Sequence, residues 1–370
     1  MAANIEIRTI GGEEIASFIE NGKKERAWHR LGQVYDRPLT AVEALQGAHA
    51  DFEVEGRDVF FMTNELKEII SSGRDIKPME LMTYLKQIEG KKANVRNDYE
   101  EALGIVSSSY GIIQNKQAFD FVDILTTGEL GNVDKPTIEC AGLLGNGERV
   151  FITAKFHDPV VLDNGRDTID MYVVFTSSHD GSGAVNCLVT GVRVVCNNTL
   201  NFALHNNVSK LSYRHTRNVA NRLCLDNEDN AQRAYRTLNL YNAYKETFKE
   251  RLQQLAQVEI ANEKALEHLF VKSCLKKEYV DAYTQNNFRL NTDEISSQSK
   301  NLIANLMEST HTGIGQNLLK SGTGLWAING LTNYYQNVKN WTGDETKFKS
   351  IMDGDTLGKL QKLYDELLAA

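Results

Sequence analysis

The sequence lacks the features that mark several classes of protein. It has only four prolines in 370 residues, and 41% of its residues are hydrophobic, which is typical of a folded globular chain and not of a disordered one. It has no run of 18 or more apolar residues, so it predicts no transmembrane helix. The first residues show no basic segment followed by an apolar one, so we expect no secretory signal and a cytoplasmic protein.

The five cysteines also lack any pairing pattern. They are irregularly spaced, form no C-x-x-C pair and have no histidine at zinc-finger distance: Cys140, Cys187, Cys196, Cys224 and Cys274. We therefore expect free thiols in a reducing compartment and no structural metal. The glycine-rich segment 313–324 fits neither the Walker A spacing nor the dinucleotide-binding spacing, so no nucleotide cofactor is expected.

The order of the hydrophobic patterns predicts an α+β fold. Residues 115–127 have helical spacing, and Gly145-Asn146-Gly147 is a strong hairpin signal between two apolar runs. Two further apolar runs flank residues 176–185. Residues 103–113 are typical of a strand, and the order of a strand, a helix and then four antiparallel strands predicts a curved antiparallel sheet with a helix packed across it. Helical spacing from about residue 218 to 258, and again after it, predicts a mainly helical C-terminal region.

These patterns divide the chain into four parts. Residues 1–62 form an N-terminal α/β segment, 63–100 an insertion, 101–210 the sheet with its helix, and 211–370 the helical region. The N-terminal segment has a capping box at Thr40 and Glu43, which predicts a helix running to about residue 48. Within the insertion we expect a helix over 78–90 followed by an exposed loop, and a further helix is expected to begin at Asn198 or Thr199.

Residues 176–185, TSSHDGSGAV, raise the question of catalysis because two serines, a histidine and an aspartate are adjacent. Neighbouring side chains in a strand point to opposite faces, and Ser-His-Asp triads take their members from distant positions. We therefore assign no catalytic residue here and interpret the stretch as a hairpin turn at Asp180-Gly181. Four residues remain possible ligand contacts: His179, Asp180, Asn197 and Asn198.

One window of the sequence contains no acidic residue. The chain has 49 acids in 370 residues, which would place about six in residues 181–225, yet that window has none. The window carries +5. Because the whole chain carries −8, the remaining 325 residues carry −13. The five basic residues of the window are Arg193, Lys210, Arg214, Arg217 and Arg222. A local positive stripe on an acidic protein indicates a site for a phosphate backbone. Pairing with acidic surfaces of another subunit is the alternative.

Six segments, in order along the chain, carry a resemblance to a known family. They are AWHRLG, YGIIQNKQAFDFVD, AGLLGNGERVFITAKF, SSHDGSGAV, TGVRVVCNNTL and GTGLWAINGLTNYYQN, and they span roughly residues 26–340. Together they resemble the phage/plasmid-like protein family, a domain of unknown function found in phages, plasmids and prophages. More distantly, the strand and helix order is similar to that of phage single-strand annealing proteins. The resemblance implies a mobile-element protein in a bacterial cytoplasm.

The leading hypothesis is therefore a non-enzymatic protein that binds single-stranded DNA in recombination, replication or repair. The five basic residues of the acid-free window would hold the strand, and the helical region would support a homo-oligomer, with no cofactor and no membrane. Two alternatives stay open. One is an oligomeric protein that acts on a host or phage protein. The other is a hydrolase or nuclease that uses His179 and Asp180.

Overall fold

The computed structural model describes residues 6–10, 13–21, 32–127, 135–162, 167–193, 198–200, 210–225, 227–343, 346–347, 350–351 and 354–369. The strands are β1 (Ile7–Ile10), β2 (Glu13–Ala16), β3 (Phe18–Asn21), β4 (Gln33–Tyr35), β5 (Val54–Met62), β6 (Leu85–Arg96), β7 (Glu101–Ser107), β8 (Thr137–Leu144), β9 (Arg149–Lys155), β10 (Val160–Leu162), β11 (Asp167–Ser178), β12 (Val185–Arg193), β13 (Asn198–Leu200) and β14 (Lys210–Tyr213). The helices are α1 (Ala41–Gly47), α2 (Asn64–Ser71), α3 (Pro78–Leu81), α4 (Asn115–Thr127), α5 (Arg217–Leu225), α6 (Asn227–Gln257), α7 (Glu263–Cys274), α8 (Lys277–Gln285), α9 (Ser297–Thr312), α10 (Gly324–Asn333) and α11 (Asp355–Ala369).

A nine-stranded sheet forms the centre of the molecule. Its strand order is β13-β12-β11-β9-β8-β3-β4, with β14 paired to β12 and β10 paired to β11. All of these pairs are antiparallel except β3 with β4. The hairpin predicted at Gly145-Asn146-Gly147 is confirmed, because β8 and β9 pair on either side of it and both glycines have positive φ. The predicted α+β fold with an antiparallel sheet is therefore confirmed.

One face of this sheet is covered by helices. Helix α4 contacts both α1 and α6, and all three helices contact the sheet. Alternate sheet residues such as Val173 and Phe175 point into the core they share. Phe121 of α4 meets Phe175 edge to face at a ring distance of 5.2 Å, and Phe156 stacks on Tyr241 of α6. Because α4 supplies buried residues at helical spacing, the predicted helix across the sheet is confirmed.

The helical C-terminal region is also confirmed, and it is built around α10. Every residue of α10 is buried, and the helix packs against α6, α9 and α11. Gly330 permits the closest approach: a Cβ atom there would lie 2.0 Å from the Thr310 hydroxyl oxygen of α9. A helix that is buried on all sides is expected at the centre of a helical layer.

A three-stranded antiparallel sheet, β5-β6-β7, projects from the N-terminal half. Here two predictions were wrong. The helix expected over 78–90 ends at residue 81 and a 3-10 turn, and the loop expected after it is strand β6. The reason is tertiary: β6 pairs with β5 on one side and β7 on the other, and these ladders outweigh the helical spacing of the apolar residues.

Three other local predictions can be compared with the structure. Helix α1 has the predicted capping box, in which Thr40 and Glu43 exchange hydrogen bonds. The helix expected to begin at Asn198 or Thr199 is wrong, because residues 198–200 form β13 on the edge of the main sheet. The long helical stretch predicted over 218–258 is described as α5 and α6.

Candidate functional site

The stretch TSSHDGSGAV is the turn that joins β11 to β12, as predicted. The two strands pair as far as Thr176 and Asn186, and Gly181 in the turn has a φ of 80°. The Asp180 carboxylate accepts hydrogen bonds from the Ser178 hydroxyl and, at 2.8 Å, from the Ser182 amide. Burial opposes ionisation of Asp180, but these hydrogen bonds outweigh it and bring the pKa below its ordinary value. The aspartate thus stabilises the turn from within.

The three-stranded sheet packs against the same turn. Asn94 of β6 donates to the His179 carbonyl at 2.7 Å, and the Tyr110 hydroxyl donates to the Ser178 carbonyl at 2.8 Å. Gly104 of β7 approaches so closely that a Cβ there would lie 2.6 Å from the Asp180 Cα. The hydrogen bonds and the close approach fix the turn against β6 and β7, so its backbone is an anchor between the two sheets.

His179 is completely buried, which bears on both roles considered for it. Its Nε2 lies 2.7 Å from Oδ1 of Asn115, whose amide nitrogen donates to the Ala50 carbonyl. Asn115 Oδ1 is therefore an acceptor, which places the imidazole proton on Nε2. Burial lowers the pKa of His179 to about 3, so the ring is neutral. In this conformation it packs against Phe52 and has no contact with solvent.

The two serines that precede His179 give the catalytic alternative no accessible nucleophile. Ser177 is fully buried and Ser178 exposes 2% of its surface. A general base must reach the proton it removes, and a substrate must reach the nucleophile. Within the described residues no group of three or more His, Cys, Asp and Glu side chains could hold a metal ion.

A second histidine, in the acid-free window, contacts the residues that follow strand β7 of the three-stranded sheet. His215 stacks on Tyr110 with ring centroids 4.7 Å apart, and the His215 carbonyl accepts from the Gly111 amide at 3.0 Å. Burial lowers the pKa of His215 to about 4, so it adds no positive charge at neutral pH. The segment 214–216 is thereby held beside residues 108–111.

The predicted basic residues of the window lie in different positions. Lys210 is half-buried on β14, while Arg214 and Arg217 are exposed. Arg217, the first residue of α5, donates to the Ser108 carbonyl at 2.9 Å. Asn197 lies outside the described residues, as do the side chains of Arg193, Asn198 and Arg222. The structure therefore places Arg214 and Arg217 on the surface, three residues apart in the chain, and describes only the backbone of Arg193 and Arg222.

Lys92 of β6 lies beside Arg217, although it falls in the segment predicted to be a loop and had no predicted role. It donates to the Tyr110 carbonyl at 2.8 Å, and its pKa is lowered first by burial and then by the charge of Arg217. Asp58 is opposite Lys92 in the strand register, but these two side chains form no ion pair. We call Lys92, Arg214 and Arg217 the basic corner. In the described part of the chain, neither Lys92 nor Arg217 has an acidic partner.

One cleft lies away from the predicted site residues. It has a volume of about 910 Å³ and is lined by β10, the end of α6 and residues 318–325. Two lysines, Lys249 and Lys320, face it beside amide and apolar side chains. None of the predicted site residues lines it.

Comparison with known proteins places the chain in a family. No curated protein and no solved structure matched it. Across the described residues, no helix is long and apolar enough to cross a membrane. The family model for DUF932, a domain of unknown function, matches residues 102–357, which is more than two thirds of the chain and includes the hairpin turn, Arg214 and Arg217. The chain belongs to the DUF932 family.

Proposed function

We propose that this chain binds single-stranded DNA in the recombination, replication or repair of a phage or another mobile element. In this proposal it acts without catalysis, by holding the strand as an annealing protein does. The observation that carries the proposal is the basic corner, where Lys92 donates to the Tyr110 carbonyl at 2.8 Å and Arg217 donates to the Ser108 carbonyl at 2.9 Å, two residues earlier in the same loop. Two cations that lie close together without an ion-pair partner repel each other, and a bound anion relieves that repulsion.

The surroundings of the corner favour a phosphate backbone as that anion. The acid-free window supplies Arg214 and Arg217, while β6, from a distant part of the sequence, supplies Lys92. Arg217 also opens helix α5, whose N-terminal amides add a partial positive charge. On a protein with a net charge of −8, such a corner would attract a polyanion locally while the remaining surface repels it.

The aromatic side chains near the corner are already occupied. Tyr110 stacks on His215, and Tyr213 lies over the Arg233 guanidinium at 5.3 Å. One face of each ring is therefore taken by another side chain. We expect binding to depend on charge, with little preference for sequence and a strong dependence on salt.

A binding titration tests the proposal. Fluorescence anisotropy of a labelled oligothymidine is measured across a salt series for the full chain and for Arg217→Glu. Glutamate is favourable in the first turn of a helix, so α5 is preserved while the corner loses its charge. We expect weaker binding, and a plot of log affinity against log salt that is shallower by about 0.7 for each phosphate that the variant no longer neutralises.

Arg289→Glu is the matched control, because Arg289 is exposed in the helical region and makes no ion pair among the described residues. It introduces the same change of net charge away from the corner. Equal weakening by both variants would mean that only net charge matters, and would contradict a site at the basic corner. Undetectable binding of the unaltered chain at low salt would refute the proposed function itself.

The phage origin is part of the proposal and is supported by the six sequence segments that resemble the phage/plasmid-like family. The burial of His179, Ser177 and Ser178 gives no support to a hydrolase at the turn. An interaction with another protein does have support from a different region, the tip of the three-stranded sheet.

A further inference from the structure

The far end of the three-stranded sheet exposes an unusual concentration of large apolar side chains. They lie within 29 residues and expose between 37% and 90% of their surfaces: Phe60, Phe61, Met62, Ile70, Met79, Leu81, Met82 and Ile88. We call this region, residues 60–88, the apolar tip. Contiguous exposed apolar surface on a folded protein marks an interaction site.

The tip exposes strand β5 on both faces and along one edge. Phe60 and Phe61 are adjacent in β5, so they point to opposite faces, and both are exposed. At its start the strand is capped by Gln114, which bonds both the amide and the carbonyl of Val54. Among the described residues nothing pairs with the outer edge of β5 from Phe60 to Met62. An uncovered apolar edge strand is a template for pairing with another strand.

We propose that this edge pairs with the same edge of a second copy of the chain. Two β5 strands, antiparallel about a two-fold axis, would join the three-stranded sheets into one of six strands and bring Phe60 and Phe61 beside the apolar side chains of the second copy on its two faces. Such pairing uses main-chain hydrogen bonds for affinity and the apolar side chains for packing.

The charge of the tip favours a second copy over other occupants. Residues 60–88 contain four basic and four acidic residues, so they are neutral in a chain that carries −8. Two copies can therefore meet here without the repulsion that their remaining surfaces would produce. A neutral surface gives no electrostatic attraction to nucleic acid or to anionic lipid.

The exposed area is also sufficient. With about 170 Å² for a whole large side chain, the eight exposed fractions amount to about 700 Å² of apolar surface from each copy. A stable interface of standard size buries about 800 Å² from each partner. The eight side chains together therefore expose nearly as much apolar surface as each partner of such a dimer buries.

The test is the mass of the purified full chain across a concentration series, measured by sedimentation without nucleic acid. Phe61→Glu is the main variant. Residue 61 lies opposite Lys86 in the register, so the new opposite-charge pair stabilises the pairing of β5 with β6. In the dimer it would place two carboxylates at the interface. We expect the unaltered chain to associate reversibly, and Phe61→Glu to weaken association by at least about tenfold.

Two further variants make the result unambiguous. Met79→Glu changes a side chain that is 90% exposed, so it alters the tip with no effect on packing; we expect weaker association. Ile314→Glu makes the same charge change at an apolar residue that is 54% exposed outside the tip, and should associate like the unaltered chain. Hydrogen exchange adds an independent readout: the amides of 58–62 should become protected as concentration rises, except in Phe61→Glu.

A chain that remains monomeric at every concentration would overturn this inference, as would unchanged association of both tip variants. Monomers that bind neutral phospholipid vesicles through the tip would overturn it too, and would assign the surface to membranes. The outcome is independent of the proposed function, because Phe61→Glu leaves the basic corner intact and should bind a short oligothymidine with unaltered affinity.

Discussion

Replacing Gly104 by alanine tests whether the three-stranded sheet packs against the hairpin turn. The added Cβ would lie 2.6 Å from the Asp180 Cα, while ordinary van der Waals contact begins near 3.4 Å. The two backbones must therefore separate by about 0.8 Å. The contact is with backbone, so no side-chain rotation can relieve it.

The size of the effect follows from what this separation disturbs. Overpacking of this kind costs about 1–3 kcal/mol. The separation also stretches two hydrogen bonds to the turn, from Asn94 at 2.7 Å and from Tyr110 at 2.8 Å, each contributing about 1 kcal/mol. We expect Gly104→Ala to lower the free energy of unfolding by about 3 kcal/mol.

Urea unfolding followed by circular dichroism measures the change, and hydrogen exchange of the β6 and β7 amides shows whether it begins at the junction of the two sheets. Gly358→Ala is the matched control. Gly358 lies in α11 with no atom within 4 Å of a new Cβ, so the same substitution should stabilise the chain by up to about 1 kcal/mol. If the free energy of unfolding of Gly104→Ala is within about 0.5 kcal/mol of that of the unaltered chain, the turn is not packed against the three-stranded sheet as described.

Two further predictions concern the cores. Gly330→Ala would place a Cβ 2.0 Å from the Thr310 hydroxyl and 2.7 Å from its Cα, so thermal unfolding should show a loss of at least about 3 kcal/mol; a melting temperature equal to that of the unaltered chain would contradict the close packing of α9 on α10. His179 and His215 have pKa values lowered by burial to about 3 and about 4, so the unfolded chain, with histidines near 6.5, binds more protons below that pH. The free energy of unfolding should therefore fall as pH falls from about 6.5 toward 4, by up to about 1.4 kcal/mol per pH unit for each histidine. Urea titrations at several pH values measure this free energy, and in His215→Gln it should fall less steeply with pH. If the free energy of unfolding of His215→Gln falls with pH as steeply as that of the unaltered chain, His215 is exposed to water and not buried.

Local signals predicted those elements whose cause is local. The capping box at Thr40 and Glu43 is an exchange between residues three apart, and the β8–β9 hairpin follows from glycines that adopt positive φ. The turn at Asp180-Gly181 belongs to the same class. In each case the residues that decide the structure are neighbours in the sequence, so no knowledge of the tertiary fold is needed.

The failures share a different cause. The apolar residues of 78–90 have helical spacing, yet Leu81, Met82 and Ile88 are exposed and Leu85 begins a strand. Pairing with β5 and β7 determines that strand, and β7 begins five residues after β6 ends, with a turn at Glu100 of positive φ. Asn198 gives the second example: its polar side chain indicated a helix cap, but the edge of β12 was available to pair with it.

By itself, the sequence determined that the chain folds as an α+β protein, that TSSHDGSGAV is a turn, and that residues 181–225 carry positive charge, because composition and short-range spacing decide these properties. Only the tertiary structure decided that His179 is buried under the three-stranded sheet and that Lys92 lies beside Arg217, 125 residues later in the chain. The distance between two such side chains depends on how the sheets pack against each other, and no local pattern contains that information.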